Sequence, residues 1–340
     1  MPSFSTGVVT RIRSEREGLQ RVEVDGAPSY VLTRLIGPVA VGDRVVVNTT
    51  AVELGLGTGG WHVVHWNLSR DGWSSAGAGR VLKLRYTSLQ VDVGAAEETP
   101  GYTPPDDLAG APVVACALHS QAAIVAAVVA AAVPGRRVAY VMTDSASLPL
   151  ALSDLVARLR ELGIVSTTVT SGQAFGGDHE AVNLSSALQI ASGVGGADLI
   201  VVGPGPGVVG TRTRLGFSGL EVAAVVDAAA RLRARSVVAV RYSDADHRPR
   251  HQGISDHTLA ALAAAARPAL VAVPRGERGL DALAGGPHAL VEVDVGDVAA
   301  VLDRCRLDVT TMGRSAHDDP GYFRWAAAAG VVAAQLLGAP

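Results

Sequence analysis

The spacing of apolar residues divides the chain near residue 93. Before that point, short apolar stretches alternate with polar positions and are parted by glycine-containing turns, which is a strand pattern. Residues 7–12 and 19–24 bracket a polar turn and predict a hairpin; 30–35, 43–48, 61–66 and 80–84 continue the series. Short strands at this spacing predict a small β-barrel or sandwich over residues 1–93. Residues 94–110 carry proline, glycine and acids without periodicity and predict a linker. From residue 111 the pattern changes. Apolar runs at 113–118, 137–142, 165–169, 198–202, 236–240, 270–273 and 290–293 alternate with helical stretches at 121–132, 150–162, 184–193, 220–233, 256–265 and 297–305. A last helix is expected over 322–337. The strands are apolar throughout, as they are when helices cover both faces of a sheet. This alternation predicts a doubly wound, mostly parallel α/β domain of Rossmann-like type over residues 111–340.

Composition narrows the classes. In 340 residues, 48% are hydrophobic and only 4% aromatic; the excess is alanine, valine and glycine. Net charge is −3, without blocks of one sign, and residues 1–92 hold ten basic and eight acidic side chains. That balance argues against nucleic acid and against a polybasic membrane surface. The longest apolar run, residues 122–133, is twelve long, too short to span a bilayer. The first ten residues lack the charged and apolar regions of a signal peptide. The two cysteines, Cys116 and Cys305, form no CxxC pair. A cytoplasmic protein is therefore expected. The single lysine, Lys83, is not part of a P-loop.

In a doubly wound sheet, ligands bind beyond the carboxyl ends of the strands. The polar residues that follow the predicted strands are thus the candidates. The first strand is followed by His119, Ser120 and Gln121, the second by Thr143, Asp144 and Ser145. After the fourth come Gly205, Gly207 and Thr211 to Gly219, and after the fifth Tyr242 to Gly253. The loops bring Arg212, Arg214, Arg248 and Arg250, whose planar donors suit phosphate or carboxylate; ion pairs with Asp244 and Asp246 are the plainer use. His247, His251 and His257 fall within eleven residues. His247 or His251 would move protons, with Asp144 or Asp244 orienting the ring; ordering a loop is the plainer use. A metal site there is disfavoured by the adjoining arginines. The run Gly205-x-Gly207-x-x-Gly210 matches the dinucleotide fingerprint by letter, but the next helix starts about nine residues too late. Ser218 and Glu221 have capping-box spacing, Ser255 precedes a helix as an N-cap, and Ser120 is a candidate cap. The turn at residues 55–60 is rich in glycine and serves the β domain or approaches a ligand.

Four runs carry a resemblance: residues 48–60, 83–87, 203–219 and 247–255. Together they resemble an uncharacterised bacterial family, domain of unknown function 3866, across nearly the whole chain. The resemblance implies no activity, cofactor or catalytic residue. Arg212 and Asp256 depart from the family pattern, where glycine and histidine are more usual. Neither an arginine at 212 nor a histidine pair at 256–257 is implied by it.

Two functional readings follow. In the first, the chain binds a small anionic molecule, with His119, Ser120, Gly205, Gly207, Thr211, Arg214, Arg248 and Arg250 as ligand-binding residues. Acid/base chemistry would then fall to His247, His251, Asp144 and Asp244. In the second, the chain is a non-catalytic sensor or scaffold that binds a protein or pairs with a second copy through the alanine-rich C-terminal helix, residues 325–337. No cofactor is specified by either.

Overall fold

The computed structural model describes residues 2–56, 59–75, 77, 79–284 and 286–338. Two compact units result, Met1–Gly94 and Ala95–Pro340.

The first unit is a closed barrel of five strands, β1 (Phe4–Arg16), β2 (Leu19–Val24), β3 (Ala27–Val31), β4 (Arg44–Asn48) and β5 (His62–Asn67), in the order β1-β2-β3-β5-β4. β1 is long enough to pair antiparallel with β2 along one half and β4 along the other. Register shifts between Val9 and Arg11 and between Ile12 and Ser14 bend it between the two partners. The inward side chains, among them Val9, Val22, Val31, Val45 and Val64, form the core. The strand expected at 30–35 is cut short. Helix α1 (Thr33–Ile36) follows β3 and stops at Gly37, which takes φ 70° against the ring of Trp73. A second short helix, α2 (Thr50–Glu53), follows β4. The strand expected at 80–84 is not part of the barrel: β6 (Leu82–Lys83) pairs with β7 (Val91–Asp92) in a separate hairpin, where Lys83 is buried. In the glycine-rich turn, Gly55, Gly59 and Gly60 take positive φ; Gly57 and Thr58 lie outside the described residues.

The second unit is built on an eight-stranded sheet. Its strands are β8 (Pro112–Cys116), β9 (Val138–Thr143), β10 (Thr167–Thr170), β11 (His179–Glu180), β12 (Leu199–Pro204), β13 (Arg235–Ala239), β16 (Leu270–Pro274) and β17 (Ala289–Val293). A two-strand ribbon, β14 (Tyr242–Ser243) with β15 (Gly253–Ile254), lies in the loop after β13. The sheet order is β11-β10-β9-β12-β8-β13-β16-β17, and every pair in it is parallel. Helices α3 (His119–Ala132), α4 (Asp154–Glu161), α8 (Val298–Arg304) and most of α9 (Pro320–Leu336) share one core; α5 (Leu184–Ser192), α6 (Val222–Arg231) and α7 (Asp256–Ala264) share the other. Leu108 is buried in the second core and Tyr102 packs against it. The predicted helix at 150–162 is broken by Ser153, whose side chain caps α4 by accepting from Val156 N.

The C-terminal helix is interior, which corrects its reading as a pairing surface. Trp325 is 1% exposed and Ala326 to Ala329 are fully buried. The small side chains let α9 lie close on α3, with Gly330 seated against Val128. Among the described residues, no helix is long and apolar enough to cross a membrane.

The centre of the sheet fixes where a site belongs. From β8 the chain runs through α3 to β9 on one side; from the adjacent β12 it runs through α6 to β13 on the other. Neighbouring strands whose connections leave in opposite directions open a crevice at their carboxyl ends, the usual place for a ligand in such sheets.

Candidate functional site

The loops beyond β8, β9, β12 and β13 leave the same edge of the sheet, since those strands are parallel. The residues they carry separate into a packed polar layer and an open pocket.

His119 belongs to the packed layer. Its Nδ1 donates to the carbonyl of Pro204 at 3.0 Å, and its Nε2 shares a 2.7 Å hydrogen bond with Ser153 Oγ. The Tyr140 hydroxyl donates to the same carbonyl at 2.8 Å. Burial pushes His119 down to about 4. The side chain therefore ties the end of β12 to the start of α4 across the crevice. Ser120 does not cap α3. Its hydroxyl shares a 2.7 Å hydrogen bond with the Tyr322 hydroxyl, and Gln121 Oε1 accepts from Leu118 N in its place.

The capping box at Ser218 and Glu221 is not formed. Ser218 Oγ accepts from Val209 N, and Glu221 accepts from Thr143 Oγ1 at 2.8 Å, so the carboxyl joins the end of β9 to the start of α6. Burial raises its pKa, against the opposing bonds from Ser145 and Thr143. Asp144 accepts from Gln173 N at 2.9 Å, with Gly172 packed against its carboxylate. Gly205 lies on the backbone of Ser147, where a Cβ would come within 2.5 Å of the carbonyl oxygen. Gly207 takes φ 91° in a loop, and no helix follows until Ser218. The strand–turn–helix setting of a dinucleotide fingerprint is thus lacking at this run.

Beyond β13 the chain forms a knot of charge around Asp246, which is 2% exposed. Arg248 donates to both of its oxygens, at 2.9 and 2.7 Å, in a bidentate pair. The hydrogen bonds and charge of Arg248 hold Asp246 well below the usual carboxylate range. Arg248 is thereby committed to a carboxylate. Asp244 accepts from the Tyr242 hydroxyl at 2.8 Å and packs against Gly321, and among the described residues no hydrogen bond joins it or Asp144 to a histidine. His247 is exposed on the same loop.

His251 is 1% exposed and holds its neighbour in place. Arg250 Nε donates to its Nε2 at 3.2 Å, so Nδ1 carries the proton and donates to Ser255 Oγ at 2.7 Å. Ser255 Oγ also accepts from His257 N, the expected cap of α7. Burial, then the charge of Arg241, pushes His251 down to about 3 and His257 to about 4. Both rings are neutral near pH 7. His257 stacks on Phe217 with centroids 3.8 Å apart and meets His251 edge-on.

These residues border a pocket of about 460 Å³, lined by Thr211, Arg212, Thr213, Arg214, Arg250, Asp256, His257, Leu259 and Ala260. Thr211 and Thr213 share a 2.8 Å hydrogen bond within the loop that presents the arginines. Among the described residues, Arg212, Arg214 and Arg250 form no ion pair.

The chain belongs to the family described as "Protein of unknown function (DUF3866)". The family model matches residues 29–330, which leaves out β1 and β2 of the barrel and takes in nearly all of the second unit. No curated protein and no solved structure matches the chain. Family membership thus supplies the fold's extent and no chemistry.

The pocket brings together Thr211, Arg214 and Arg250 of the expected ligand-binding set. His119, Ser120, Gly205, Gly207 and Arg248 stand outside its lining, as do His247, His251, Asp144 and Asp244. Sequence reasoning did not single out Arg241, Arg314, Asp319 or Glu221 as site residues. Asp319 is fully buried and accepts from Ser243 Oγ at 2.6 Å and Arg314 Nε at 3.1 Å. It lies 75 positions from the loop it organises. The second acid of an Asp-Asp-Pro run gives no signal at that range. Among the described residues, no group of three or more His, Cys, Asp or Glu side chains is placed to hold a metal ion.

Proposed function

We propose that the second unit binds a small anionic molecule, a phosphate or a carboxylate, in the pocket between the loop at residues 211–216 and the start of α7. One observation carries this reading: three guanidiniums border a single pocket and none is paired with a carboxylate among the described residues. Unpaired arginines in a concavity favour an anion, and their forked donors match its oxygens. Arg214 and Arg250 are the principal contacts. His251 positions Arg250 and, with both ring nitrogens engaged, does not itself transfer protons. The volume falls within the range of small-molecule sites.

The test is a thermal-shift panel of phosphate, sugar phosphates, nucleotides and carboxylates on the full chain. A ligand at a hundred times its dissociation constant stabilises by about 2.7 kcal/mol, a shift of a few degrees for a chain of this size. Arg214→Ala and Arg250→Ala should each remove most of the shift. A panel without response, or a response that both variants keep, would sink the proposal.

A further inference from the structure

Arg241 adds a positive charge close to the pocket residues His257 and Arg250 without itself lining the pocket. Arg241 follows β13, and its backbone is pinned to the first turn of α7: its N–H donates to Thr258 Oγ1 at 3.0 Å and its carbonyl accepts from Ser255 N at 2.9 Å. The same turn carries His257 and Leu259 into the pocket wall. The Arg241 side chain is only 10% exposed, yet its nearest carboxylate oxygen, on Asp246, is 3.7 Å away. That is beyond a hydrogen bond. Asp246 already accepts three hydrogen bonds from Arg248, and Arg314 reaches it only at 3.8 Å. Asp246 is shared among Arg248, Arg241 and Arg314, so it offsets the charge of Arg241 only in part.

The wider count leans the same way. Arg241, Arg248, Arg250 and Arg314 are set against Asp244, Asp246 and Asp319, and the pocket adds Arg212 and Arg214 against Asp256. His251 and His257, held neutral, add nothing. The excess is more than one positive charge.

Building on the anion-binding reading above, we infer that the ligand is a phosphate monoester bound as its dianion, with Arg241 as the inner counter-charge to its phosphoryl group. A monocarboxylate would leave part of the excess standing. A phosphoryl group brings nearly two negative charges at neutral pH and several acceptor oxygens. The stacked His257 and Leu259 supply an apolar wall for the uncharged remainder of the ligand.

Calorimetric titration of the full chain with inorganic phosphate and, separately, with acetate at low ionic strength tests this. Phosphate should bind at least about tenfold tighter than acetate, as expected when one further charge-assisted hydrogen bond is made. Arg241→Gln should weaken phosphate about tenfold or more and narrow its advantage over acetate. Equal affinities in the native protein would overturn the inference and leave the anion-binding reading intact. Binding of neither would overturn the inference and leave the anion-binding reading to the wider panel. Should Arg241→Gln fail to fold, as judged by circular dichroism, the comparison of the two anions on the native protein decides alone.

Discussion

His119 shows how a single side chain can be legible in place and not in role. It follows β8 at the crevice, where a ligand contact is expected, but its ring spans Pro204 and Ser153 and stays neutral. The sign of its pH linkage follows. Its pKa is about 4 in the folded chain, from an ordinary 6.5, so between those values the unfolded chain binds the extra proton. Stability is therefore fully present above about pH 6.5 and falls as pH drops toward 4. His119 alone accounts for roughly 3 kcal/mol across that window. His251 and His257 act in the same direction and range. Asp246, with its pKa depressed, adds a loss that begins only below the ordinary carboxylate range near 4. Urea denaturation at pH 7, 6, 5 and 4.5 should show the midpoint falling with pH. His119→Gln should flatten the dependence by about one proton; an unchanged slope would contradict the linkage.

At the scale of elements, α3 and α9 meet through small residues. A Cβ on Gly330 would come within 2.9 Å of Val128 Cβ and Cγ1 and 3.1 Å of the Val125 carbonyl. Gly330→Ala should therefore destabilise the second unit by about 1–2 kcal/mol, with overpacking outweighing the gain in helix propensity of up to about 1 kcal/mol. A variant as stable as the parent would show that the two helices can part at no cost. The strands of this unit were legible because both faces of the sheet are covered, which leaves unbroken apolar runs such as Val113–Ala115. Elements decided by distant partners were not. Ser218 and Glu221 have the letters of a capping box, but Thr143, from β9, takes the carboxylate. Likewise the four arginines of the loops are alike in sequence. Asp246 claims Arg248 and His251 holds Arg250, and only the folded loop makes that distinction. Residues 30–35 have the composition of a strand, yet Gly37 at positive φ ends a helical turn there.

At the scale of the whole molecule, each unit carries what an independent fold requires. The barrel closes on itself between β4 and β1, and among the described residues its core cluster is made of residues of the first unit. The second unit has a core on each face of its sheet, and all of these core residues lie after Gly94. Every residue of the proposed anion site also belongs to the second unit. A chain that starts at Ala95 should therefore fold cooperatively and keep the phosphate response of the full chain within about twofold, since a factor of two is only about 0.4 kcal/mol. Circular dichroism and calorimetric titration of that truncated chain check both halves of the expectation. A folded but unresponsive truncation would contradict the expectation that the second unit binds phosphate by itself. An unfolded one would mean that residues before Ala95 complete the second core.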